Sequence, residues 1–125
     1  MKNKYNLSVS EKEIMDLLWE HGEMSSKEIL HYFNTEKNKD WKKQTLNTFI
    51  ARLLKKEVLK RRSVERKYMY MPAFPIQEYE ARRAQNFLDM SYEGSIVKFI
   101  STAMQVTPFS KEEKEELLNF LDSMS

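Results

Sequence analysis

Between Asp40 and Lys56 the chain reads DWKKQTLNTFIARLLKK, and Leu46, Phe49, Ile50, Leu53 and Leu54 fall at the i, i+3, i+4, i+7, i+8 spacing of a helix seated on a core. The opposite side of that helix collects Gln44, Thr48, Ala51, Arg52, Lys55 and, at its edge, Thr45. Two helices are expected before it. Ser10-Glu11-Lys12-Glu13 reads as a capping box, with Val9 and Ile14 as its apolar staple, and opens a helix to about His21 whose stripe is Ile14, Leu17, Leu18 and Trp19. Gly22 is its stop. Ser25-Ser26-Lys27-Glu28 repeats the device, flanked by Met24 and Ile29, and opens a short helix that buries Ile29, Leu30 and Phe33. The polar run from Asn34 to Asp40 is the turn into the third helix, which is expected to begin near Asp40 or Trp41.

After Lys56 the period changes. Val58 to Arg62 and Lys67 to Met71 are rich in β-branched, long and aromatic residues, are separated by Ser63-Val64-Glu65-Arg66, and predict a β-hairpin ended by Pro72. Pro72 and Pro75 mark a joint between an N-terminal domain, residues 1–74, and a C-terminal one, residues 75–125. Downstream, helices are expected over Glu78 to Met90 and Ile96 to Met104, with Gly94-Ser95 between them. A third opens at the capping box Ser110-Lys111-Glu112-Glu113.

Charge divides along the same joint. Residues 1–74 hold 16 lysines and arginines against 10 acids, a net +6, whereas residues 75–125 hold 5 against 9, a net −4. A basic half suits an acidic partner such as nucleic acid, and an acidic half does not share that partner. The absence of cysteine from all 125 residues excludes a disulfide framework, thiolate metal sites and a Cys nucleophile, and points to the cytoplasm. No segment reaches the roughly 18 to 20 apolar residues of a membrane span, and the N-terminal MKNKYNLSVSEKE has lysines but no apolar run behind them.

Catalysis has little to stand on. His21 and His31 lie in different expected helices without a metal-binding spacing, and no glycine-rich phosphate loop is present. Glu112, Glu113, Glu115 and Glu116 sit in and near a helix's first turn, where negative charge complements the dipole, so no cofactor or metal is implied.

Three helices followed by a basic hairpin is the plan of a winged helix-turn-helix, a mainly α fold with a small β wing whose third helix enters the major groove. Short or amide-bearing residues on the outer face of that helix permit close approach. Gln44, Thr45, Asn47 and Thr48 are the candidate base-reading residues, since Gln makes paired bonds to adenine and Thr bonds to bases or phosphates or packs on a thymine methyl. Lys42, Lys43, Arg52, Lys55 and Lys56 are placed for phosphates, as are Arg61, Arg62, Arg66 and Lys67 on the hairpin. Tyr68 and Tyr70 share a strand face and read better as packing than as base stacking. A winged-helix module whose third helix binds a protein surface is the alternative.

The C-terminal helices carry more apolar side chains than three short helices can bury, notably Phe87, Ile96, Phe99, Ile100, Leu117, Leu118 and Leu121. A second copy would complete that core, and a two-fold dimer matches two half-sites of a palindromic operator on double-stranded DNA.

LSVSEKEIMDLLWEHGEMSSKEIL followed by DWKKQTLNTFIARLLKKEVLKRRSVERKYMYMP resembles the penicillinase repressor family, the BlaI/MecI/CopY group, over nearly the whole chain. The resemblance is most specific from Asp40 to Lys56. It implies a homodimeric winged-helix repressor on an inverted-repeat operator, with Thr45 and Thr48 meeting DNA, Arg52 facing a phosphate or anchoring the helix, and Trp41 packing its start. In β-lactam-responsive members a membrane sensor protease triggers cleavage at an Asn-Phe bond, and the matching position here is Lys98-Phe99, with Lys in place of Asn. The cysteine-rich motif of copper-responsive members is absent. Glu57 stands where the family usually has Gly, and Asn47 where some relatives have Arg.

Overall fold

The computed structural model describes residues 5–124, so Met1 to Lys4 of the N-terminal segment lie outside it. Helix α1 spans Val9–His21, strand β1 Met24–Ser25, α2 Ser26–Glu36 and α3 Lys43–Lys55. Strands β2, Leu59–Val64, and β3, Lys67–Pro72, follow, and then α4, Ile76–Ser91, α5, Ile96–Ala103, and α6, Lys111–Ser123.

The cap of α1 is Ser8 with Glu11 at the third helical position, not Ser10 with Glu13. Ser8-x-x-Glu11 and Ser10-x-x-Glu13 both satisfy the box, and tertiary structure chooses between them: Glu11 is buried and binds Lys56, while Val9 is 80% exposed and staples nothing. The boxes at Ser25–Glu28 and Ser110–Glu113 form as the sequence predicts. Helix α3 begins at Lys43, later than expected, because Trp41 is held in the preceding loop.

The sheet is antiparallel in the order β1-β3-β2. β1 pairs Met24 with Tyr70 and Ser25 with Met69, and at two residues it is too short to carry a sequence period. The β2–β3 hairpin closes on the Val64–Lys67 pair through Glu65 and Arg66 alone, a tighter turn than the four residues expected. Both turn residues have positive φ, 45° and 73°, the backbone of a type I′ hairpin usually made by Asn-Gly.

One core joins these elements. Ile14, Met15, Leu17 and Leu18 of α1 meet Ile29 and Phe33 of α2, Leu46, Ile50 and Leu53 of α3, and Val58, Leu59 and Tyr70 of the sheet. The start of α4 belongs to it as well. Tyr79 is buried, its ring 5.0 Å from that of Trp19, and its hydroxyl donates to the Tyr5 carbonyl at 3.1 Å. Trp19 Nε1 in turn donates to the Phe74 carbonyl at 2.9 Å. The first compact unit accordingly ends at Ala84 and the second begins at Gln85, inside α4, ten residues beyond the joint expected at the prolines.

The second unit is built differently. Phe87, Tyr92 and Phe99 pack as three mutually tilted rings 5.2 to 5.8 Å apart, yet α5 and α6 contain no buried residue.

Helix α3 ends in a left-handed residue. The Glu57 amide donates to the Leu54 carbonyl and the Val58 amide to that of Leu53, with Glu57 at φ 63° and Leu53 and Val58 both buried, a Schellman ending whose central position favours glycine. Glu57→Gly is therefore expected to raise stability by about 1 kcal/mol in urea unfolding, and Glu57→Ala to give no comparable gain.

Candidate nucleic-acid interface

The inner stripe of α3 is consumed by the core, which fixes what faces out. Leu46, Ile50 and Leu53 are buried and Phe49 and Leu54 half-buried, whereas Gln44, Asn47, Thr48, Ala51, Arg52 and Lys55 are exposed and Thr45 lies between. Thr48 donates its hydroxyl to the Gln44 carbonyl at 3.1 Å.

The N-terminal end of α3 is open. Ser8, Ser25, Ser95 and Ser110 cap their helices with side-chain oxygens, but Lys42 at the N-cap of α3 makes no such bond, so the first amides and the positive end of the dipole stand beside the exposed Lys42 and Lys43. Among the described residues, Lys42, Lys43, Arg52, Lys55, Arg61, Arg66 and Lys67 have no carboxylate within ion-pair distance.

The wing distributes its cations unequally. Arg61 stacks over the ring of Tyr68 with its guanidinium carbon 4.1 Å from the centroid, so Tyr68, 45% exposed, packs on an arginine while Tyr70 enters the core. Arg66 stands at the turn itself. Arg62 is already engaged: its Nε donates to Glu23 Oε2 at 3.0 Å and its Nη2 to Oε1 at 2.5 Å. These bonds hold the Glu23 carboxyl below the usual range. Arg62 is thus a weaker candidate for phosphate than Arg66, and Lys56, which the sequence placed at phosphates, points inward to Glu11.

Comparison with known proteins agrees with this geometry. The penicillinase repressor family matches residues 7–123. The chain belongs to the penicillinase repressor family. Its relatives include the penicillinase repressor of Bacillus licheniformis, 26% identical over 98% of this chain and 94% of that protein. The methicillin resistance regulatory protein MecI of Staphylococcus aureus (strain N315) is 28% identical over 98% of both. Among solved structures, the DNA-binding domain of the repressor BlaI superposes with a TM-score of 0.51 at 28% identity, covering 59% of this chain and 88% of that one.

Within this family fold, the sequence did not reveal the contacts by which Asn34 and Glu11 hold α3 and Glu23 holds the wing. Asn34 brackets the backbone of Trp41, donating from Nδ2 to its carbonyl and accepting its amide, each at 3.0 Å, while the Trp41 ring packs between Phe33 at 4.6 Å and Phe49 at 5.2 Å. Together these set where α3 starts. Glu23 steadies the wing, and Glu11 steadies the end of α3. No spacing rule links Asn34 to Trp41 or Glu23 to Arg62, since the first pair meets across a loop and the second across 39 residues that include α2 and α3.

The residues expected to pair two copies occupy the second unit. Phe87, Ile96, Leu118 and Leu121 are exposed by 48 to 58%, while Phe99, Ile100 and Leu117 are half-buried. Lys98, paired with Glu93 at 3.2 Å, and Phe99 both lie inside α5. No helix of the described residues is long and apolar enough to cross a membrane, and none of their His, Asp and Glu side chains group as a metal site.

The Glu11–Lys56 pair has a pH signature. Burial pushes the Glu11 carboxyl up, but the Lys56 ammonium at 2.7 Å and the Ser8 amide and hydroxyl outweigh it and leave the carboxyl below its usual range. A lowered folded value means that its stabilising contribution is present above about pH 4.3, the ordinary glutamate value, and is lost as pH falls through the folded one. Lys56→Met strands a buried carboxylate and is expected to cost about 3 kcal/mol near neutrality, with the cost shrinking as Glu11 protonates. Urea midpoints at pH 7 and pH 4 check this, and an equal loss at both would leave Lys56 a packing role only.

Proposed function

We propose that the chain is a sequence-specific DNA-binding transcriptional repressor that acts in the cytoplasm as a homodimer on an inverted-repeat operator. The observation that carries this reading is the outer face of α3, where small and amide-bearing side chains are flanked by cations that, among the described residues, have no carboxylate within ion-pair distance. Such a face fits a major groove: Gln44, Thr45, Asn47 and Thr48 reach base edges, and Lys42, Lys43, Arg52 and Lys55 take phosphates on either side. Arg61, Arg66 and Lys67, with Arg62 in a lesser part, clamp the backbone from the wing. The family's repressors and the BlaI DNA-binding domain lend this reading its regulatory sense.

Pairing is supported by the second unit. Ile96, Val97, Leu118 and Phe120 are at least half exposed, and the net −4 of residues 75–125 keeps that surface off DNA. A second copy is the occupant that supplies two reading helices for two half-sites. A sensor protease acting at Lys98–Phe99 would have to unwind α5 and accept Lys where relatives present Asn. Repression itself does not require that step.

Duplexes selected from a random pool by the full chain are expected to contain an inverted repeat and to lose affinity by roughly a thousandfold between ~50 and ~200 mM salt. Equal, weak binding to selected and scrambled duplexes at physiological salt would instead favour a protein partner for α3. Gln44→Ala is expected to relax base preference at one position, whereas Arg66→Ala weakens all duplexes alike and lowers the salt slope. The reverse pattern would exchange the reading and clamping roles. In sedimentation, Leu118→Asp is expected to give monomers, and an unchanged mass would remove Leu118 from the pairing surface.

A further inference from the structure

We propose that Thr48 reads sequence through its methyl group, selecting a thymine in the major groove by contact with the base's 5-methyl. This rests on the DNA-reading role proposed above for α3 and names the chemistry of one contact within it.

A threonine on a reading helix can act through its hydroxyl or through its methyl, and the structure favours the methyl. The Thr48 hydroxyl donates to the Gln44 carbonyl one turn back, at 3.1 Å, although the side chain is exposed. Its proton is spent within the helix. The hydroxyl oxygen keeps its acceptor lone pairs, and the other branch of the β-carbon, the methyl group, is the one with no hydrogen bond to make. Ala51, three residues on and also exposed, adds a second methyl to the same face. The polar residues around them are amides, Gln44 and Asn47, and the cations Arg52 and Lys55 stand further along. The outer face of α3 is therefore a small apolar strip framed by hydrogen-bonding groups. Among the base edges that line a major groove, only thymine offers an apolar group.

The test uses the full chain and a duplex it has selected from a random pool. Failure to select any sequence would count against DNA reading as a whole and is thereby distinguished from failure of this contact. Deoxyuridine then replaces thymidine one position at a time, which removes a methyl and leaves every hydrogen-bonding group of the base pair in place. Wild-type affinity is expected to fall about fourfold at one thymine, the effect of exposing one buried methyl-sized group. Thr48→Val keeps the methyl and loses the hydroxyl, and is expected to bind as tightly as wild type and to remain sensitive to uracil there. Thr48→Ser keeps the hydroxyl and loses the methyl, and is expected to bind the thymine duplex about fourfold more weakly and no longer to distinguish it from the uracil one. If selective binding survives while no uracil substitution weakens it, the proposal is overturned. It is equally overturned if Thr48→Ser matches wild type while Thr48→Val loses affinity, because the hydroxyl would then be the reading group. The uracil series on the wild-type chain can overturn the proposal without either variant, and loss of thymine discrimination in Thr48→Ser assigns the contact to Thr48 and not to Ala51.

Discussion

Burial of Leu46, Ile50 and Leu53 on one side of a 13-residue helix is the constraint from which the rest of the N-terminal unit follows. These side chains cannot be turned to water without opening the core shared with α1, α2 and the sheet, so the opposite face of α3 is committed to the surface. Three further contacts then remove the remaining freedoms of that helix. Asn34 and the Trp41 ring fix its start, the left-handed Glu57 fixes its end, and Lys56 ties that end to the buried Glu11 of α1. Helix α3 is consequently held at both ends by groups that do not belong to its outer face, which leaves that face free to vary in chemistry without loss of fold.

Much of this was legible in the chain because it is written in periods and caps. The apolar stripes of α1, α2 and α3, the hairpin after Lys56 and the boxes at Ser25 and Ser110 all depend on residues within one or two turns of each other. Where the outcome depended on distant partners, local pattern was insufficient. Two overlapping Ser-x-x-Glu boxes compete at the start of α1, and only the burial of Glu11 against Lys56 decides for Ser8. β1 exists because β3 lies beside it, not because two residues have a strand period. The hairpin turn uses Glu65 and Arg66 where turn chemistry favours Asn and Gly, so the sequence suggested a longer loop.

The candidate interface divides in the same way. Its cations could be named from charge alone, but which of them remain available could not. Arg62 and Lys56 look equivalent to Arg66 and Lys55 in the sequence, and differ because Glu23 and Glu11 reach them across 39 and 45 residues. The outer face of α3 was visible as a set of residue types. The hydroxyl geometry that distinguishes one threonine chemistry from another required coordinates.

The second unit is the counterpart of that economy. Its helices have good caps, a tight aromatic trio and no buried residue in α5 or α6, so local geometry is well specified while little apolar surface leaves water. Whatever covers a folded surface and not the unfolded chain stabilises the fold by mass action. In the proposed homodimer the integrity of residues 85–124 would therefore follow the concentration of the chain itself, so that dilution would loosen this end of the molecule while the N-terminal unit, which has its own core, keeps its shape.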